Sequence, residues 1–138
     1  MIDYVYSSEG ITANQLQGFF VGWTNPPSPE VHLQLIQKSD EVILAIDSSS
    51  GKIIGFITAI TDRVLTAYIP LLEVLPAYQH QQIGKTLVQK MIERLSAYYM
   101  VDLLCDKELQ SFYEQFGMRH ATGMFFRNYD KQSGASVM

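Results

Sequence analysis

Gly84, Lys85 and Thr86 follow the polar turn Gln79-His80-Gln81-Gln82 and open an amphipathic run. An apolar segment ending at Pro76 leads into that turn. A strand, a polar turn and then a helix leaves backbone N–H groups unpaired at the helix start, and the macrodipole adds roughly half a positive charge there. This combination binds anions, phosphate above all. Gly-Lys-Thr is also how a nucleotide-binding P-loop ends. The opening glycine of a P-loop, which lets the backbone wrap a phosphate, would fall at Gln79. A P-loop also follows the first strand of a parallel sheet, whereas this turn follows the fourth strand read below. The dinucleotide fingerprint G-x-G-x-x-G is absent too. The competing reading is a plain polar turn into a core helix.

The elements that position this turn can be read from periodicity. Ile83, Leu87, Val88, Met91, Ile92 and Leu95 recur at helical spacing, with Lys85, Gln89, Lys90, Glu93 and Arg94 on the other face. Upstream, "IDYVY" (2–6) reads as a short strand and "TANQLQGFFVGW" (12–23) as a helix ending near Gly22. Ser28 at a cap and Pro29 at the first helical position predict a second helix. "EVILAID" (41–47) and "KIIGFITAITD" (52–62) flank a Ser/Gly turn and predict a hairpin. "LTAYIPLLEVLP" (65–76) is a third long strand in which Pro70 predicts a bulge or an edge. "YMVDLLCD" (99–106) reads as a buried strand and "ELQSFYEQFG" (108–117) as a short helix stopped by Gly117. "MRHATGMFFRNY" (118–129) reads as a final strand with a break at Gly123. The order βααβββαβαβ is that of an α/β fold with helices on both faces of a mixed sheet.

Composition bounds the function. The 138 residues, 47% of them hydrophobic, suit one domain over 1–138 with one core. Net charge is −4 and no basic block occurs, which points away from nucleic acid. No apolar run is long enough to cross a bilayer. The first ten residues lack a basic start and an apolar core, so a cytoplasmic protein is expected. One cysteine, Cys105, excludes an internal disulfide, and His32, His80 and His120 show no metal-ligand spacing, so no metal is expected.

"LLEVLPAYQHQQIGKTLVQKMIERL" resembles motif A of the GCN5-related N-acetyltransferases, the GNAT family. That motif is a strand ending in L-x-V-x-P-x-[YF], then [QR]-x-x-G-x-[GA], then a helix. Gln79 and Gly84 match, and Gln82 stands where the first glycine is usual. "QSFYEQFGM" (110–118) resembles motif B, F-Y-x-x-x-G-[FM]. The resemblance covers nearly the whole chain and is weakest in the first 40 residues.

It implies a GNAT-like acyl-CoA N-acyltransferase fold with a mixed, mostly antiparallel sheet. It also implies an enzyme that moves an acetyl group from acetyl-CoA to a primary amine by direct attack in a ternary complex. Leu72 and Val74 would offer backbone groups to the pantetheine arm, as in strand addition. The pyrophosphate would meet the N–H groups of Gln82, Ile83, Gly84, Lys85 and Thr86, with Gln79 adding a side-chain donor. A right-handed helical conformation at Gln82 would leave its N–H pointing outward. Tyr113 would protonate the leaving thiolate. Glu73 alternates away from Leu72 and Val74, and from the opposite face it could relay the amine's proton through water. Asp106 is expected to cap the next helix rather than hold substrate, and Cys105 to be a small buried residue rather than a nucleophile. Trp23, Phe19 and Phe20 form an aromatic wall if they face the cleft and core if they face the sheet. The acceptor is a small-molecule or peptide amine, and pairing of two copies through "MFFRNY" is compatible with the family's habit. The alternative is a non-catalytic acyl-CoA-binding module on the same fold.

Overall fold

A computed structural model describes residues 1–135. Its centre is β3 (Lys52–Thr61), which lies between β2 (Glu41–Asp47) and β4 (Thr66–Val74). Seven consecutive β3 residues, Ile53 to Ala59, are buried, because both faces of this strand are covered. The sheet runs β1-β2-β3-β4-β5, where β1 is Ile2–Val5 and β5 is Met100–Asp102. The first four strands are antiparallel and β5 joins β4 in parallel.

One face carries α2 (Ile83–Arg94), whose buried stripe is Ile83, Leu87, Val88 and Met91, continued by Leu95. Gly55 lets it approach. A Cβ there would lie 3.2 Å from Leu87 Cδ1 and 3.3 Å from Ile83 Cγ2, so any side chain would push the helix outward. The other face carries α1 (Pro29–Lys38) and a 3-10 turn over Ala13–Leu16. The α1 start is as expected: Ser28 Oγ accepts the Val31 N–H at 3.2 Å and Pro29 follows. Pro70 also acts as expected. The β3–β4 register shifts where Ile69 and Pro70 face Ala59, which is a bulge in β4.

Three sequence expectations are corrected. The helix over 12–23 is only the 3-10 turn, followed by loops in which Gly18 (φ 94°), Phe20 (φ 64°) and Gly22 (φ 85°) are left-handed. Alternating left-handed residues cannot continue a helix. The strand over 99–106 is cut to Met100–Asp102 and is not fully buried. No strand forms over 118–129, where residues 119–131 are exposed throughout. Helix α3 (Gln110–Glu114) is short, and Gly117 stops its turn with φ 87°.

One polar group sits wholly inside the core. His32 of α1 is 1% exposed, and neither ring nitrogen has a partner among the described residues. The rings of Phe19, Phe20 and Phe56 lie 5.2, 4.9 and 4.4 Å from it. Burial lowers its pKa from 6.5 to about 4, so the folded protein holds it neutral. The unfolded chain therefore binds the extra proton first, and folding loses stability as pH falls from 6.5 towards 4. The limiting slope is about 1.4 kcal/mol per pH unit and is only half developed at pH 6.5, so stability should drop by about 1.5 kcal/mol between pH 6.5 and pH 5 on this account. Denaturant titrations of the protein and of His32→Leu at pH 7 and pH 5 should show a smaller acid loss in the variant. Equal losses would mean that His32 is not the sensor.

Candidate active site

The site begins where β4 loses its outer neighbour. Pairing with β5 covers only Thr66, Ala67 and Tyr68, so among the described residues no strand lies beside the outer edge from Ile69 onward. The Leu75 N–H donates to Ile54 O at 2.9 Å, and Val74 lies opposite Gly55 and Leu72 opposite Ile57. Antiparallel pairs alternate between bonded and non-bonded. Leu75 is therefore turned towards β3, whereas the N–H and C=O of Leu72 and Val74 point away from it, into the opening. One of these groups is taken: the Gln79 amide donates to Val74 O at 3.1 Å.

Helix α2 starts beside this edge. The N–H groups of Ile83, Gly84 and Lys85 have no acceptor among the described residues, and no side chain caps them. No acidic residue occupies the first turn. Thr86 differs. Its N–H donates to Gln82 O at 3.0 Å and its hydroxyl to the same oxygen at 2.8 Å, so neither donor is free. Gln82 is not right-handed, as the sequence reading had it, but left-handed at φ 67°, ψ 12°. His80 is left-handed too, at φ 67°. A side chain in that region costs about 1 kcal/mol, which explains the usual glycine. Gly84 needs no such freedom. A Cβ there would meet nothing nearer than 3.8 Å, from Val74 and then Phe112.

Tyr113 of α3 lines a groove on the outer side of β4 together with Tyr68, Cys105 and Phe116. Its hydroxyl has no hydrogen bond among the described residues. Burial first, and then the nearby Cys105, push its pKa up to about 12. It therefore stays protonated and can donate. The Cys105 thiol is raised by burial and then by Asp106, which disfavours the thiolate that a nucleophile requires. Asp106 stands at the N-cap of the turn Lys107–Leu109, but its side chain makes no cap bond.

Glu73 lies on the opposite face, as alternation requires. Its carboxylate accepts the Phe20 N–H at 2.8 Å and the Val21 N–H at 3.2 Å. It thus braces the left-handed loop against β4. The aromatic cluster divides between the two expected roles. Phe19 and Phe20 are core, while Trp23 is 39% exposed and meets Phe20 edge-to-face with ring centroids 4.9 Å apart. Trp23, Phe20, Val21, Phe56, Leu71, Leu72, Glu73 and Gln79 line a second pocket. Phe56 and Leu71 were not singled out in the sequence. Phe56 lies directly opposite Glu73 in the β3–β4 register, a relation visible only once strands are paired, and Leu71 is two residues from Glu73 on the same strand.

Among the described residues no three His, Cys, Asp or Glu side chains gather as metal ligands, and no helix is long and apolar enough to cross a membrane. The family model "Acetyltransferase (GNAT) family" matches residues 9–118. A crystal structure of a putative acetyltransferase from Deinococcus radiodurans is 40% identical, with a TM-score of 0.92 over 96% of this chain and 92% of that one. A GNAT family acetyltransferase from Streptococcus pneumoniae is 26% identical, with a TM-score of 0.74 over 93% and 98%. The GCN5-related N-acetyltransferase 2 of Arabidopsis thaliana, described as chloroplastic, is 30% identical over 83% of this chain, which spans 53% of that protein. The strand order, the open edge of β4 and these matches agree, and the chain belongs to the GNAT family of acetyltransferases.

Proposed function

We propose that the protein transfers an acetyl group from acetyl-CoA to a primary amine, by direct attack in a ternary complex, as one domain. The observation that carries this is the conjunction at β4: an unpaired backbone edge ending beside three free N–H groups at the start of α2. The first suits an extended pantetheine-like arm and the second a diphosphate. Ile83, Gly84 and Lys85 would hold the diphosphate, with Gln82 adjoining, and Leu72 and Val74 the arm. Gln79 would join only by leaving Val74 O, and Thr86 only by leaving Gln82 O.

When bound, acetyl-CoA supplies a thioester carbonyl; the amine nitrogen bonds to its carbon, the carbon–sulfur bond breaks, and the amine gives up protons. The chain's part is proton handling and orientation. Tyr113 holds a proton on its phenol for the departing sulfur. Glu73 receives one from the amine through water while its oxygens keep the Phe20 and Val21 N–H groups. A cytoplasmic location and a homodimer belong to the same proposal. The first stands beside two relatives that are described as chloroplastic. The second rests on Met124, Phe125 and Phe126, which are 94%, 66% and 84% exposed.

Two variants separate this reading from a plain turn and from a binding module. Lys85→Glu places a carboxylate in the first turn of α2, where the macrodipole favours it by about 0.3–1 kcal/mol. Thermal stability should hold or rise while acetyl-CoA affinity in calorimetry falls at least about tenfold, a loss that added salt reduces. Unchanged affinity would remove the anion site. Tyr113→Phe should keep acetyl-CoA affinity and lower turnover by about 100-fold, within the usual range for a general acid. Full turnover in that variant would remove Tyr113 from the chemistry. Because its pKa is about 12, no Tyr113-linked loss of rate should appear from pH 7 to pH 10.

A further inference from the structure

The pocket beside Trp23 has a composition that selects one kind of amine. We infer that the acceptor is a primary monoamine with an apolar, preferably aromatic, body and no anionic group. This inference rests on the acetyl-transfer reading above.

Trp23 meets Phe20 edge-to-face with Phe56 behind, Val21, Leu71 and Leu72 stand beside them, and Gln79 and Glu73 supply the polar part of the lining. Among the described residues the only charged one lining it is Glu73, and no Lys, Arg or His does so. The carboxylate cannot swing away freely, because the Phe20 and Val21 N–H groups hold its two oxygens. Each oxygen retains a lone pair, so an ammonium can dock against the carboxylate as it arrives. An aromatic body would then lie on the half-exposed face of Trp23.

The same walls reject other amines. An amino acid would bring its carboxylate towards Glu73 with no cation to offset the repulsion. A sugar phosphate would do so with more charge. The buried imidazole of His32 cannot help, because it is held neutral behind Phe20 and Phe56. A polyamine would satisfy one ammonium at Glu73 and press the next against apolar wall, at a desolvation cost.

Trp23 is the only tryptophan in the chain, so its fluorescence reports this pocket without requiring turnover. The protein, saturated with CoA, is titrated with phenethylamine, L-phenylalanine and spermidine. Phenethylamine should give a saturable change at least about tenfold tighter than either of the others. Glu73→Gln should weaken phenethylamine, and Val21→Arg, at an exposed position, should shrink the preference over L-phenylalanine to below about threefold. Equal or tighter binding of L-phenylalanine or spermidine, or no response to any of the three, overturns the assignment. A parallel thiol-release assay separates the two readings. Selective binding without acetyl transfer would refute the activity but support the pocket's selectivity. Acetyl transfer with L-phenylalanine preferred would do the reverse.

Discussion

The separation of β4 from β5 is the constraint on which the site depends. Parallel pairing ends at Tyr68–Asp102, and the Ile69–Pro70 bulge follows at once. Proline cannot donate to a ladder, and a bulge bends the strand that carries it. Beyond it, β4 keeps β3 on one side and, among the described residues, has no strand on the other. Unpaired strand edges are usually covered, because they invite adhesion. Here the edge is short, one of its carbonyls is held by Gln79, and α2 and α3 flank it. An edge so confined can accept an extended ligand without being open to another sheet.

Glu73 links this edge to the loop on the other face. Phe20 sits at φ 64°, a conformation that an aromatic residue does not adopt unaided. Two backbone N–H groups of that loop end on one carboxylate, and charge-assisted bonds of this kind are stronger than neutral ones. The Phe20 side chain then packs into the cluster with Phe56 and His32. The strained loop is thereby held from both its backbone and its side chain. Any shift of β4 at Glu73 would reach the aromatic wall directly.

Much of the fold was legible in the sequence because burial and local propensity agree there. Helix α2 shows a clear 3.6-residue stripe, and Ser28-Pro29 marks the start of α1 by cap chemistry alone. The β2–β3 hairpin is framed by a Ser/Gly turn. The misread segments are those where local pattern and backbone conformation part company. Phe19, Phe20 and Trp23 mimic a helical face, but Gly18 and Gly22 on either side take left-handed turns that the apolar spacing hides. Residues 118–129 alternate well enough for a strand, yet pairing depends on a neighbouring edge that residues 103–106 do not supply. At the site, Tyr113, Gly84 and Glu73 stood out by motif and alternation. The role of Glu73 as a brace did not, because it needs the register between distant segments.

Gln82 shows how the rest of the fold sustains a local strain. Its left-handed conformation opposes α2 by about 1 kcal/mol. The helix is nonetheless fixed, since Ile83, Leu87, Val88 and Met91 are almost fully buried and each such side chain contributes about 1.5–3 kcal/mol. Gly55 determines where that burial occurs, by letting Leu87 and Ile83 close on the sheet. With the helix axis set by those contacts, the preceding residue must turn through whatever angle connects Gln79 to Ile83. The strain therefore lies at the turn and not in the helix, and the free N–H groups of Ile83, Gly84 and Lys85 are held in place before any ligand arrives. Preorganised donors lose little freedom on binding, which is the advantage of a strained but immobile turn over a relaxed and mobile one.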